Sequence, residues 1–193
     1  MVALTFDCGS NADGIPSILQ TLRSLGVPAT FFLTGRWIDA FPDHARAIAK
    51  DFPMGNHTYS HPHLPDLADA AVRDQLLRAE GLLRAELGKD PRPLFRFPYG
   101  DSDGHTLRIV NGLGYGSIRW TVDTLGWKGT KGGQSVDSVI ARVKAALRPG
   151  AIVLMHVGSA PDHSTLDADA LPELIQTIRS LGYSFVTVAA YAK

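Results

Sequence analysis

The chain has one cysteine, Cys8, among 193 residues. No internal disulfide can staple the fold, so its stability must come from a packed core. A net charge is also missing, since 19 Lys and Arg balance 19 Asp and Glu. Without a basic surplus nothing selects nucleic acid or an anionic membrane as a partner, and a neutral or weakly charged substrate suits the chain better. No apolar run is long enough to span a bilayer, and no leader precedes the first strand. The sequence opens inside the strand-like run Val2-Ala3-Leu4-Thr5-Phe6. A chain trimmed from a longer precursor would begin this way, so the missing leader leaves the compartment open. Repeats, low-complexity tracts and linkers are absent too, and residues 1–193 are expected to form one domain.

What is present is alternation. Hydrophobic residues make up 45% of the chain, enough for a sizeable core. Runs rich in β-formers are expected as strands at Val2–Phe6, Ala29–Leu33, Leu94–Phe97, Ser117–Val122, Ala151–His156 and Ser184–Val188, with a weaker one before His57. Between them, apolar residues recur every three or four positions, as at Ile15, Ile18, Leu19, Leu22 and Leu25. This period predicts helices over Gly14–Leu25, Phe41–Asp51, Leu67–Leu87, Ser135–Leu147 and Asp169–Leu181. Alternating β and α units imply parallel strands flanked by helices, as an open sheet or a barrel. Such folds bind ligands at the carboxyl ends of their strands.

Polar clusters fall at those ends. In Gly55-Asn56-His57-Thr58-Tyr59-Ser60-His61 two imidazoles stand four residues apart. On a helical turn that spacing would place both on one face, close enough to share a metal ion. Thr5-Phe6-Asp7, Arg96-Phe97-Pro98-Tyr99-Gly100 and Leu154-Met155-His156 supply the other groups that metal-assisted hydrolysis uses. These are a carboxylate base, an oxyanion donor and a second imidazole as acid. Arg96, set among apolar neighbours, needs an anionic partner, for which Asp7 and Asp123 are candidates. Trp120 and Trp127 flank Asp123 and could form an apolar platform for a sugar. His63 is read as surface.

These residues resemble the polysaccharide deacetylases of the NodB-homology type, carbohydrate esterase family 4. The motifs stand in order: Thr5-Phe6-Asp7, His57 to His61, Arg96 to Gly100, the Asp123 to Trp127 segment, and Leu154-Met155-His156. The resemblance implies an α/β fold, a distorted (β/α) barrel of about seven parallel strands. It implies a divalent metal, zinc or else cobalt or nickel, and removal of N-acetyl groups from a peptidoglycan or chitin-like glycan by a monomer that works outside the cell or at its wall. An acetylxylan esterase and a glycan-binding pseudoenzyme are the alternatives. Carried across, Asp7 is the base, oriented by Arg96. His57 and His61 hold the metal, and the Tyr99 N–H meets the oxyanion. Leu154 lines the acetyl pocket, and His156 protonates the leaving amine. Two positions depart from the family pattern. Cys8 stands where a second aspartate usually serves as the third metal ligand, which leaves Asp13, a water or Cys8 itself for that place. Gly126 stands where an aspartate often pairs with the acid histidine. That predicts a lower His156 pKa than in relatives that keep the aspartate, unless Asp123 or a group outside the motifs replaces it.

Overall fold

Strands whose residues are apolar on both faces must be covered on both faces, and helices with one apolar stripe supply the cover. The computed structural model, which describes residues 1–191, shows this alternation. In chain order the elements are β1 (Ala3–Cys8), α1 (Ile15–Ser24), β2 (Ala29–Leu33), α2 (Gly35–Ala40), α3 (Pro42–Ala49) and β3 (Met54–Asn56). Next come α4 (Asp69–Leu87), β4 (Leu94–Phe95), α5 (Gly104–Gly112), β5 (Gly116–Ser117) and β6 (Val122–Asp123). The last three are α6 (Val136–Ala146), β7 (Ile152–His156) and α7 (Leu166–Ser180). Among the described residues no helix is long and apolar enough to cross a membrane.

By its packing the chain falls into two compact units. One holds Met1–Thr30 and the residues from Trp120 onward; the other is Phe31–Arg119. The strand order is β2-β1-β7-β6 in the first and β5-β4-β3-β2 in the second, with β2 common to both. The ladders of β7 with β1 and β6, of β3 with β2 and β4, and of β4 with β5 are parallel. The expected α/β fold with about seven parallel strands is the one found. In the first unit β1 is buried at every residue, and α7 packs against α1 and α6. In the second, Leu64, Val72, Leu76, Phe95, Phe97, Ile109, Val110 and Tyr115 form one apolar cluster.

Two expected strands change. Ser117–Val122 is not continuous. In the second unit Ile118 N–H follows β5 onto the Phe95 carbonyl, and in the first Thr121 N–H donates to the Ile152 carbonyl. The two ends of the run thus join different strands. Ser184–Val188 reduces to a single bridge between Val2 and Phe185, because Val188 N–H turns to the Thr30 hydroxyl. Helices α2 and α5 were not expected, being too short to show a stripe. Their caps were visible, however: Thr34 Oγ1 accepts Trp37 N–H at 3.3 Å, and Asp103 with Thr106 forms a capping box. Helix α7 starts at Leu166, earlier than the predicted Asp169.

A buried polar network ties β3 to α4. Asn56 is fully buried, and its Nδ2 donates to the Leu76 carbonyl at 2.9 Å and to the Tyr115 hydroxyl at 3.1 Å. The Tyr115 hydroxyl donates in turn to Glu80 Oε2 at 2.9 Å. Burial, and then the charge of Glu80, push the Tyr115 phenol well above its ordinary pKa, so it stays a donor. In Tyr115→Phe a buried carboxylate oxygen loses its donor. The expected loss is roughly 1–3 kcal/mol, seen by calorimetry as a Tm lower by several degrees. An unchanged Tm would mean that water replaces the hydroxyl.

Candidate active site

In the second unit Asn56 of β3 is the register partner of Phe95 of β4, so the next residues, His57 and Arg96, lie side by side. The Arg96 carbonyl sits 2.8 Å from His57 Nδ1. A carbonyl can only accept, so Nδ1 carries the proton of this contact. His57 is buried. The Arg96 side chain is buried as well, with Nε donating to the Ile118 carbonyl at 3.3 Å and the guanidinium over the Phe32 ring.

The expected helical turn from His57 to His61 is absent. Thr58 and His61 take left-handed φ values of 68° and 61°, which non-glycine residues adopt only under constraint. The constraint comes from three sides. Gln75 Oε1 on α4 accepts the N–H groups of Tyr59 and Ser60 at 3.1 and 2.8 Å. Thr58 Oγ1 accepts His61 N–H, and Gly35 and Arg36 at the start of α2 donate to the carbonyls of Thr58 and Tyr59. A side chain at Gly35 would run into the Tyr59 ring. The outcome resembles that of a helix turn, with the His57 and His61 ring centroids 4.8 Å apart and their planes 77° apart. Tyr99, also left-handed at φ 59°, sets its ring edge against His61 and stacks at 4.0 Å on His63. His63 is exposed as expected, yet it belongs to this group and binds Asp101 at 2.9 Å through Nδ1.

The first unit gathers a second group at the carboxyl ends of β1, β7 and β6. Register places Asp7 opposite His156 and Asp123 opposite Leu154. Asp123 accepts Leu125 N–H at 2.9 Å and the Trp127 indole N–H at 3.3 Å, which holds the half-exposed Trp127 ring edge-on to His156, 6.3 Å away. Leu154 is buried. Sequence reasoning missed Asp167 on α7, which is buried and lies 3.8 Å from His156 Nδ1. A signal existed: Asp167, Leu171, Leu174 and Ile178 share one buried helix face, and a carboxylate on an apolar stripe needs a reason. Burial lowers the His156 pKa, but Asp167, then Asp7 and Asp123, outweigh it and leave it raised. Asp167, a carboxylate outside the motifs, thus stands beside His156.

Asp13, proposed from the sequence as a third metal ligand, is exposed and accepts the Ser159 hydroxyl at 2.6 Å. Gly14, the next residue, occupies the cap of α1. Cys8 is fully buried, and burial followed by the Asp7 charge pushes its thiol well above its ordinary value. Among the described residues no three His, Cys, Asp or Glu side chains gather as a metal-holding group. The imidazole pair nevertheless fits a divalent ion. Two imidazoles on one tetrahedral ion hold their centroids roughly 5 Å apart, and a ligand histidine commonly gives its other N–H to a carbonyl, as His57 does to Arg96.

The class is therefore a parallel α/β protein with a metal-fitting imidazole pair in one unit and a carboxylate–imidazole group in the other. Residues 1–118 match the family model described as polysaccharide deacetylase. The peptidoglycan-N-acetylglucosamine deacetylase of Bacillus cereus is 35% identical over 97% of this chain and 66% of its own length. The chitooligosaccharide deacetylase of Bradyrhizobium sp. is also 35% identical, over 94% of this chain and 81% of its own. Among solved structures, BA3943 of Bacillus anthracis, described as a CE4 family pseudoenzyme, has a TM-score of 0.89 at 32% identity, covering 98% of this chain and 64% of that one. This chain belongs to the polysaccharide deacetylase family. It spans about two thirds of the Bacillus cereus relative.

Two outcomes are expected from this geometry. Gln75→Ala removes the acceptor of two loop N–H groups, so zinc affinity should fall roughly tenfold in a calorimetric titration. Unchanged affinity would show that the loop holds itself. Because the His156 pKa is raised in the fold, its ion pairing stabilises fully below about pH 6.5 and ceases as pH rises through the folded value. Urea melts of the protein and of His156→Gln should therefore differ most near pH 5.5 and converge at pH 9. A gap that widens with pH would reverse the assigned sign.

Proposed function

We propose that this chain is a metal-dependent deacetylase acting on polymers of N-acetylglucosamine, peptidoglycan or chitin-like, at or outside the cell surface. The observation that carries the reading is the His57 ring, fixed through Nδ1 by the Arg96 carbonyl, with the His61 ring centroid 4.8 Å away. Zinc is the proposed ion, with cobalt and nickel able to replace it because imidazole suits all three. His57 and His61 would hold it, and Asp13 or water would complete its shell. The ion would polarise the acetyl carbonyl and acidify water.

The protein groups have separate tasks in this reading. Asp7 takes the proton of the attacking water. The Tyr99 N–H donates to the carbonyl oxygen as it gains charge, which counts most where water is excluded. His156, whose raised pKa keeps more of it protonated near neutrality, hands a proton to the departing nitrogen. Acetate and a free amine result. Leu154 would face the acetyl methyl and Trp127 would carry the sugar ring. The relatives' names support the substrate, as enzymes of peptidoglycan and of chitooligosaccharide.

Acetate release from N-acetylglucosamine oligomers should vanish on chelation and return with zinc. Asp7→Asn should keep zinc and lose at least 100-fold in turnover, whereas His57→Ala should lose both; full activity in Asp7→Asn would remove the base from the mechanism. Release from acetylxylan alone would make the chain an esterase. Oligomer binding with zinc bound and no release from any acetylated glycan would place it with the pseudoenzymes.

A further inference from the structure

Gly126 has no room for a side chain. A Cβ there would lie 2.6 Å from Asp167 Cγ, so the Asp167 carboxylate fills the space that a residue at 126 would use. Asp167 stands in the first turn of α7 and is only 3% exposed. Its Oδ2 accepts the backbone N–H of His156 at 2.8 Å and lies 3.8 Å from the ring Nδ1. Both Asp167 Oδ1 and His156 Nδ1 are buried without a hydrogen-bond partner. Leaving a carboxylate oxygen and a ring nitrogen unsatisfied side by side is costly unless each serves the other as a charge partner. One carboxylate therefore grips the main chain of the last β7 residue and faces its ring.

The other groups around His156 are Asp7 from β1, Asp123 from β6, and the 126–128 turn with the Trp127 ring and the Lys128 ammonium over it. Asp123 is engaged with Leu125 and Trp127. Asp7 has its own task in the proposed reaction. That leaves Asp167 as the carboxylate whose placement serves His156.

We propose that Asp167 is the positioning residue of His156, and that Gly126 and Asp167 form a compensating pair in which the carboxylate comes from α7 and the glycine makes room for it. The inference rests on the acid role of His156. With the carboxylate at Nδ1, that nitrogen keeps its proton in both charge states. The proton on Nε2 is then the one given to the amine, and the imidazolium becomes a neutral imidazole that still carries Nδ1–H. Asp167 does not touch the substrate.

The test compares the protein with Asp167→Asn and with the exchange Gly126→Asp/Asp167→Gly. NMR of the His156 ring follows its titration without any need for turnover. The midpoint should fall by about one pH unit in Asp167→Asn and return toward the original value in the exchanged pair. For acetate release, kcat should fall roughly tenfold or more, the alkaline limb should move to lower pH with the midpoint, and KM should stay unchanged. An unmoved midpoint in Asp167→Asn overturns the proposal. So does a lower kcat with both midpoint and limb in place, because Asp167 would then act only through the backbone of β7. If Asp167→Asn does not fold, the exchanged pair decides: a midpoint near the original supports the pairing, and a fallen one overturns it. Wild-type protein that releases no acetate would sink the proposed reaction, and the titration would still test the pair.

Discussion

A carbonyl that can only accept, set 2.8 Å from a ring nitrogen, governs the second unit. It decides which nitrogen of His57 donates to the main chain and fixes the plane of the ring. Much of Phe31–Arg119 keeps this contact in place. The β3–β4 register brings His57 and Arg96 together, and the buried Arg96 side chain anchors the segment that carries the accepting carbonyl. Asn56, tied to Leu76 and Tyr115, fixes the residue before His57 against α4. A metal site asks for ligands whose rotamer and tautomer are settled before the ion arrives, and these contacts settle both.

The loop beyond His57 stores a related constraint. Left-handed residues at Thr58, His61 and Tyr99 each cost of order 1 kcal/mol, and bonds from α2 and α4 hold the first two in place. The gain is that both imidazoles sit on one side of a loop without a helix to carry them. Gly35 fits the same scheme, since only a residue without a side chain lets α2 begin against Tyr59.

The first unit solves a different problem, that of raising the pKa of an imidazole in a partly buried place. Burial alone would favour the neutral ring. Three carboxylates, from β1, β6 and α7, reverse that balance. The group at the strand ends is thus electrostatic, while the imidazole pair in the second unit is set by backbone contacts. Cys8, next to Asp7, is fully buried, and burial followed by the Asp7 charge raises its thiol pKa.

Local pattern revealed most of the architecture. The 3.6-residue stripes marked α1, α4 and α6 closely, and the runs before Asp7, His57, Arg96 and His156 marked the strands whose ends carry the chemistry. Residue types and order also pointed to the family. What local pattern hid depends on contacts between distant segments. The run Ser117–Val122 broke because its two ends join different ladders. Asp167 entered the His156 group because α7 begins earlier than its charges suggest, and because Gly126, distant in sequence, leaves the space. The sequence by itself determined which chemical groups the protein owns and at which strand ends they stand, because strand and helix periods are local. Only tertiary structure decided which nitrogen of His57 meets the Arg96 carbonyl and which carboxylate stands beside His156, because both depend on partners that burial, and not chain proximity, brings within a few ångströms.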